Sequence, residues 1–521
     1  MRCPGVVPRQ GRACRGRPGC PSRHWRPAGR IGRGNTMNTN ADVTVVGSGP
    51  NGLAAAVTMA RAGLSVRLYE LCATAGGGTR TSELTLPGFR HDVCSAVHPM
   101  ALASPFFRQF GLEQRVDFVV PEISYGHALA PNRAGLAYRD LARTAEHLGR
   151  DGRAWRAIFE PLVRDVDKIV EFVTGQLLRL PAHLLATARF GLRTFEQGTP
   201  LWNRPFVQDV APAMLTGVNT HSLGRMPSMS TSGAGLLLAT LAHARGWPVP
   251  VGGSQRIADA LTDDLSRHAG EVITDFEVTS LADIPASRVT LLDTSARGLI
   301  KLAGHLLPAG YQRRVGRFRY GNAASKVDFA LSEPVPWASP ELGRTPTIHI
   351  GGDRASLARS EADVAAGRYP ADPYVLLSQP CLVDPTRAPV GKHTLWTYTH
   401  VPSGSDRDMT EAITGRIEYF APGFRDVIID SNAISATGMQ AYNPNYVGGD
   451  FSAGTVSLRQ LIKRPVISPR PWKTPVAGLY LCSSSTAPGP GVHGMSGWYA
   501  AKLALRECFD LAPPVLEAGL V

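Results

Sequence analysis

Three glycines and one glutamate near the start of the chain have the types and spacing that bind a dinucleotide. Gly47 would allow a tight turn, Gly49 would let the backbone approach a pyrophosphate, and Gly52 would let a helix pack closely on a strand. Glu70 lies 18 residues beyond Gly52, where a carboxylate can accept hydrogen bonds from ribose hydroxyls. The spacing predicts a nucleotide whose phosphates lie at a helix N-terminus.

The elements around these residues occur in the order that such a site requires. An apolar strand over 43–46 precedes the glycine turn, an Ala-rich helix follows it, and a second strand over 65–69 ends at the glutamate. A glycine turn alone also serves simple packing, but the strand, helix, strand and acid together predict a dinucleotide-binding βαβ unit. A second glycine cluster at 76–78, followed by Arg80, is typical either of a loop lining the pyrophosphate or of a surface turn.

The C-terminal segment predicts a second part of the chain that contacts the same ligand. A strand over 478–482 is followed by a loop and then by Gly491-Val-His-Gly-Met-Ser496, which leads into a helix. Residues 489–494 match GxGxxG, but no strand or acid follows, so we interpret them as a helix N-terminus that faces an already bound cofactor. His493 would lie beside that cofactor as an acid/base candidate, or would only orient the loop by hydrogen bonding.

The net charge of +13 does not indicate a nucleic-acid partner. Nine arginines and no acidic residue lie in residues 1–36, which leaves 13 − 9 = +4 for everything after them. Residues 1–36 have no hydrophobic periodicity, so we expect a disordered leader, with the functional chain starting at Met37. An organelle-targeting role for the leader stays open.

The cysteines contain no CxxC or CxxxxC pair, which argues against a disulfide reductase, and no His/Cys spacing predicts a metal site. Their scattered positions favour a reducing compartment, so we expect a cytoplasmic protein. No apolar run approaches the roughly 20 residues that span a bilayer. Residues 235–242, the longest candidate, predict a buried helix. Peripheral membrane contact and the oligomeric state stay open.

A chain of 521 residues is long for one core and predicts two or more domains. Helical spacing in one stretch and β-rich segments between Pro-rich loops in another separate the nucleotide motifs. The predicted class is α/β, with a discontinuous Rossmann-like domain and an inserted substrate domain of antiparallel sheet plus helices. The predicted segments are the nucleotide-binding domain in three parts (37–139, 246–300 and 441–521), a helical substrate region (140–245), and the substrate-domain sheet and helices (301–440).

Six segments together resemble the phytoene desaturase-related FAD oxidoreductases. They are VTVVGSGPNGLAAA, GGGTRT, LPGFRHDVCSAVHP, PVPVGGSQRIADAL, YNPNYVGGD and GLYLCSSSTAPGPGVHGMSGWYAA. The branch that they resemble is that of the pyridine nucleotide-disulfide oxidoreductase domain-containing protein 2 relatives. The similarity runs from about residue 41 to 508, and its motifs are specific for the FAD fold rather than for a substrate.

The resemblance implies FAD as the cofactor and assigns residues to its parts. The turn that contains Pro50 and Asn51 would contact the pyrophosphate, Glu70 the adenosine ribose, and the backbone near Val278 the adenine. The remaining implied contacts, on the phosphate and flavin side, are Gly77, Arg80, Ser483, Gly491, Val492, His493, Gly494 and Met495.

These observations predict an FAD-dependent dehydrogenase or desaturase that removes hydride from an apolar, polyene-like or lipid-like substrate, with oxygen or a quinone as electron acceptor. Tyr398 and His400, on a predicted strand, either face the substrate or belong to the core. Two alternatives stay open. One is a binding or regulatory flavoprotein in which FAD is structural, and the other, weaker one is an amine oxidase.

Overall fold

The computed structural model describes residues 41–517, so the expectations for residues 1–36 fall outside it. In this part of the chain, the strands form a five-stranded sheet, a seven-stranded sheet and two two-stranded sheets. The strands are β1 (Val43–Val46), β2 (Val66–Tyr69), β3 (Thr81–Glu83), β4 (Arg90–Asp92), β5 (Phe118–Val119), β6 (Ile123–Ala130), β7 (Arg133–Tyr138), β8 (Val249–Pro250), β9 (Glu271–Ile273), β10 (Val289–Leu292), β11 (Ala323–Leu331), β12 (Thr347–Ile350), β13 (Val375–Ser378), β14 (His393–Val401), β15 (Ile428–Ile434) and β16 (Leu479–Leu481).

The first sheet contains five parallel strands in the order β16, β10, β1, β2 and β9. β1 is central, with Val43 opposite Val66 of β2 and Val289 of β10. Every residue of β1 is buried, as expected of a parallel strand covered by helices on both faces. Because its strands come from the start, middle and end of the chain, this sheet confirms the discontinuous Rossmann-like fold.

Helices cover this sheet and form a separate layer beyond it. Ala-rich α1 packs against α10 and α17, because its small side chains let the helices approach closely. The helices are α1 (Pro50–Arg61), α2 (Pro99–Ala103), α3 (Pro105–Phe110), α4 (Leu141–His147), α5 (Gly152–Arg164), α6 (Val166–Val173), α7 (Leu184–Gln197), α8 (Val210–Asn219), α9 (Met229–Ala244), α10 (Gln255–Arg267), α11 (Ala296–Ala303), α12 (Ala309–Gly316), α13 (Arg354–Ala365), α14 (Thr410–Phe420), α15 (Ala436–Tyr442), α16 (Leu458–Lys463) and α17 (Met495–Ala504).

The second sheet contains seven strands in the order β15, β11, β14, β13, β12, β6 and β7. All neighbours are antiparallel except β6 and β12, which confirms the predicted antiparallel sheet. β6 and β7 precede the predicted boundary at residue 139, so the segment 37–139 contributes strands to both sheets rather than to the nucleotide-binding sheet alone. Helices α4 to α9 form the helical layer within 140–245.

Two further sequence expectations have structural counterparts. Residues 235–242 lie within α9 and are largely buried, and among residues 41–517 no helix is both long and apolar enough to cross a membrane. Cys94, Cys381, Cys482 and Cys508 are free thiols.

Candidate functional site

The turn between β1 and α1 is closed tightly enough to require glycine. Gly47 has φ +98°, and a Cβ there would lie 2.7 Å from the carbonyl oxygen of Asp293. A Cβ on Gly52 would overlap the carbonyl oxygen of Gly47. The turn therefore keeps the N-terminus of α1 close to the carboxyl ends of β1 and β10, which is where a parallel sheet binds its ligand.

Glu70, directly after β2, is buried and held in one orientation by four donors. Its Oε2 accepts hydrogen bonds from the Ser48 amide at 3.0 Å and from the Ser48 hydroxyl. Its Oε1 accepts from the Cys72 amide at 2.9 Å and from the Arg80 guanidinium at 2.8 Å. Four donors therefore fix this carboxylate at the carboxyl end of β2, and its contact with a ribose stays a prediction.

The sequence resemblance implies that the Arg80 side chain reaches the phosphate and flavin side of the ligand, but in the structure its hydrogen bonds are to the protein. Its Nε donates to the Thr74 carbonyl at 2.9 Å, and Nη1 donates to the Tyr442 hydroxyl at 3.3 Å. The Tyr442 hydroxyl in turn donates to the Gly77 carbonyl at 2.9 Å. Arg80 therefore holds Glu70 and links the glycine loop to α15.

Asp293 is a site residue that the sequence analysis missed. It follows β10, and its Oδ2 accepts the Gly52 amide at 3.0 Å, which places a carboxylate at the N-terminus of α1. Burial, and to a lesser extent the nearby charge of Glu70, raise the pKa of Asp293 to about 7, although amide hydrogen bonds from Gly52 and Gly49 oppose the shift. The sequence signal that could have identified Asp293 is an acidic residue directly after a short apolar strand.

His493 is engaged within its own loop through both ring nitrogens. The Met495 amide donates to Nδ1 at 3.0 Å, so Nε2 carries the proton and contacts the Gly489 carbonyl at 3.2 Å. Burial lowers the pKa of His493 to about 4. This geometry favours the orienting role of His493 over acid/base chemistry, and it directs the Met495 amide to the histidine rather than to a ligand.

These segments surround one cavity of about 930 Å³ between the two sheets. Twelve of the fifteen predicted cofactor-binding residues line it, whereas Gly52, Gly494 and Met495 lie behind its wall. Asn51 and Thr294 also line it, and each has a buried oxygen with no hydrogen-bond partner, Oδ1 and Oγ1 respectively. Such oxygens fit a polar ligand. The residues that line the cavity from this side are Gly47, Gly49, Pro50, Asn51, Glu70, Gly77, Arg80, Val278, Ser483, Gly491, Val492 and His493.

The opposite wall contains a buried lysine that the sequence analysis also missed. Lys326, on β11, is 2% exposed, lines the cavity and forms an ion pair with Asp328 on the same face of the strand. Its Nζ lies 5.5 Å from the centre of the Trp396 ring. Burial lowers the pKa of Lys326 and raises that of Asp328 to about 6. The sequence signal that could have identified this lysine is a pair of opposite charges at positions i and i+2 of an apolar strand.

Apart from this lysine, the wall is mainly aromatic and aliphatic. Trp247, Trp396, Leu237 and Met100 line it, and so does Tyr398. His400 instead lies behind the wall, with its Nδ1 2.6 Å from the carboxylate of Glu361. Of the two candidates on that strand, only Tyr398 reaches the cavity.

The comparisons with known proteins agree with this architecture. Residues 45–110 match the model of the NAD(P)-binding Rossmann-like domain family. A putrescine oxidase bound to putrescine has a similar structure, with a TM-score of 0.56 at 16% identity over 90% of this chain and 99% of that one. Cyclohexylamine oxidase from Brevibacterium oxydans gives 0.53 at 15% identity over 91% and 100%. The two sheets therefore define the fold of flavin oxidoreductases.

The particular relatives lie in the branch that the motifs resemble. The pyridine nucleotide-disulfide oxidoreductase domain-containing protein 2 of Rattus norvegicus is 24% identical over 570 aligned positions, which cover 94% of this chain and 97% of the rat protein. The mouse protein of the same name matches over the same shares. The predicted resemblance is confirmed along nearly the whole chain.

Proposed function

We propose that the protein is an FAD-dependent oxidoreductase that oxidises an apolar substrate, as a dehydrogenase or desaturase. One observation carries this proposal, namely the single cavity that has a dinucleotide turn and a ribose-type carboxylate at one end and an aromatic chamber at the other. The names of the two structural neighbours and of the rat relative described above, which are oxidases and an oxidoreductase domain-containing protein, support the reaction class.

The residues that fit FAD divide its binding between them. The N-terminal amides of α1 and the turn at Gly49 would hold the pyrophosphate, Glu70 the adenosine ribose, and the loop at Gly491 the isoalloxazine. The flavin supplies the hydride chemistry when it is bound. The chain's own contribution is to orient the substrate, to exclude water with the aromatic wall, and to present the Lys326 ammonium as a buried hydrogen-bond donor.

The charge distribution disfavours an amine oxidase. Among the described residues that line the cavity, the carboxylates are Glu70, Glu277 and Asp293, and all three belong to the nucleotide-binding side. The substrate side offers Lys326 but no acid that would compensate a buried ammonium ion, which is costly to desolvate. An uncharged substrate fits this chamber better than a cation.

The test is the visible spectrum of the purified chain reconstituted with FAD, before and after anaerobic addition of polyenes, fatty acyl compounds and amines. We expect flavin bands that bleach with one apolar class, and then recover with oxygen or a quinone. Bands that never bleach would favour the binding or regulatory alternative. Failure to take up FAD would overturn the proposal.

We also propose peripheral membrane contact through the loop between α6 and α7. Val173 and Thr174 line the cavity at the start of this loop, and the residues that follow include Leu180 and Leu185, which are 92% and 74% exposed. Ile467 is 71% exposed, and the neighbouring Ser468 carbonyl accepts a hydrogen bond from Gln176 of the loop at 2.8 Å. The loop and the first turn of α7 therefore carry exposed apolar side chains soon after residues that line the cavity, as expected if an apolar substrate enters from lipid.

Sedimentation with phosphatidylcholine–phosphatidylglycerol vesicles tests this contact. We expect the Leu180→Asp, Leu185→Asp double variant to lose most of its vesicle binding, since charges oppose insertion. Val390→Asp is the matched control, because Val390 is equally exposed but lies outside the loop. Equal binding by both variants, or no binding by the unmodified chain, would rule out the loop as a membrane contact.

A further inference from the structure

A pair of histidines forms an uncharged polar spot in the apolar wall of the chamber. His221 lines the cavity, and its Nε2 lies 2.9 Å from Nε2 of His349, which is fully buried on β12. The edge of the Trp247 ring system packs against His221, with ring centres 5.5 Å apart and planes at 80°. The pair therefore has a fixed orientation and one face towards the cavity.

The remaining ring nitrogens of this pair have no protein partner. Nδ1 of His349 is buried without a hydrogen bond, and among residues 41–517 the hydrogen bonding of the His221 side chain is confined to its contact with Nε2 of His349. One Nε2 must donate to the other. If Nε2 of His349 carries the proton, the proton of neutral His221 is on Nδ1, which is then a donor. If Nε2 of His349 carries no proton, Nε2 of His221 donates and Nδ1 of His221 is an acceptor. The pair can therefore face either a carbonyl oxygen or a hydroxyl group.

The surroundings keep both imidazoles neutral. Burial lowers the pKa of His221 to about 3 and that of His349 well below its usual value, and each is lowered further by a nearby imidazole. Tyr125 and Tyr374 pack around His349. A neutral imidazole that lines an apolar chamber recognises an uncharged polar group, because an ion there would lose its hydration without a counter-charge.

We propose that His221, positioned by His349, binds a single hydroxyl or carbonyl group on an otherwise apolar substrate. This inference rests on the proposed function, since it assigns the substrate class of the same chamber. His221 is a substrate-binding residue in this proposal, and His349 is the positioning residue behind it. The substrate would be a molecule with a long apolar body and one oxygen at the end that enters the helical wall.

The test compares an apolar probe with an alcohol on the FAD-loaded full chain. Diphenylhexatriene, which has no polar group, reports on the chamber through its fluorescence anisotropy, and decan-1-ol is titrated against it. We expect His221→Phe to leave the diphenylhexatriene affinity within about twofold but to weaken decan-1-ol about tenfold, since one hydrogen bond is lost. His221→Gln should recover part of the alcohol affinity, and the exposed His305→Phe should change neither.

The outcomes separate this inference from the function on which it rests. If diphenylhexatriene does not bind the unmodified chain, the apolar chamber itself is wrong and the proposed function fails. If the probe binds but decan-1-ol competes equally well against the unmodified chain and His221→Phe, the histidine site is wrong and the apolar chamber stands. Decylammonium that competes more strongly than decan-1-ol would also overturn the preference for an uncharged group. If His221→Phe does not fold, the His221→Gln variant decides by the same comparison.

Discussion

The two ends of the cavity handle buried charge in opposite ways. At the nucleotide end, Glu70 is held by backbone amides and one arginine, and Asp293 by the amides of a helix N-terminus. At the substrate end, Lys326 and Asp328 compensate each other within one strand. The first arrangement leaves the site ready for a polar, phosphate-bearing ligand, whereas the second leaves a chamber with little net charge. If the two ends bind cofactor and substrate as proposed, the cofactor end would select by charge and the substrate end for an uncharged molecule.

Removing Glu70 should produce the largest effect. Glu70→Ala leaves Arg80 buried without its counter-charge, which typically costs about 3–5 kcal/mol, and it also removes the ribose contact. Chemical denaturation and FAD titration measure the two losses. Glu271→Ala is a matched control on the neighbouring strand β9, because its pair with Arg67 is solvent-exposed and worth under about 1 kcal/mol. Equal losses in both variants would contradict the buried-pair argument.

At the substrate end, a second substitution should restore most of the stability that a first one removes. Lys326→Met leaves Asp328 buried without its ammonium partner, so we expect a loss of about 3 kcal/mol. The pKa of Asp328 is already raised to about 6 by burial, so stability should fall as the pH rises through that value, and more steeply in the variant. The Lys326→Met, Asp328→Leu double variant should recover most of the loss at pH 8. A double variant as unstable as the single one would show that the pair is not self-compensating.

Gly52→Ala tests the nucleotide turn without altering charge. Its methyl group would overlap the Gly47 carbonyl oxygen, and relief of such overpacking costs about 1–3 kcal/mol. We expect weaker FAD binding with unchanged far-ultraviolet circular dichroism. Gly191→Ala in α7 is the control, since nothing lies within 4 Å of its added methyl group, and alanine there should be neutral or slightly stabilising. Undiminished FAD affinity in Gly52→Ala would contradict the close packing of the turn.

The nucleotide end was predictable from sequence because its determinants are local. Gly47, Gly52 and Glu70 lie within one βαβ unit, and the limits of β1 agree with the strand predicted over 43–46. The next strand along this edge of the sheet, β9, ends at Ile273, and Asp275 then adopts a left-handed conformation with φ +54° that turns the chain.

The substrate end was not predictable in the same way, because the chain brings its residues together from distant segments. His221 comes from the helical layer, His349 from β12 and Lys326 from β11, and no short spacing connects them. A charged residue in an apolar strand identified Lys326 only in retrospect. The place of β6 in the second sheet depends on distant residues in the same way, since its pairing with β12 joins residues more than 200 positions apart.

The smallest expected effect concerns Asp293 and sharpens the contrast between the two ends. Its folded-state pKa of about 7, raised mainly by burial, lies above the usual value of 3.8, so the folded protein binds an extra proton between these values. The stability that this residue contributes is therefore present at low pH and lost as the pH rises towards 7. Asp293→Asn keeps an acceptor for the Gly52 amide but cannot ionise, so the variant should be more stable than the unmodified chain at pH 8, on the order of 1–3 kcal/mol, and similar below the usual carboxyl pKa of 3.8. Denaturant midpoints at several pH values measure this slope. An unchanged slope in the variant would mean that Asp293 is ionised and fully compensated by the amides of α1, and the nucleotide end would then tolerate an isolated buried anion as well as it is expected to bind a phosphate.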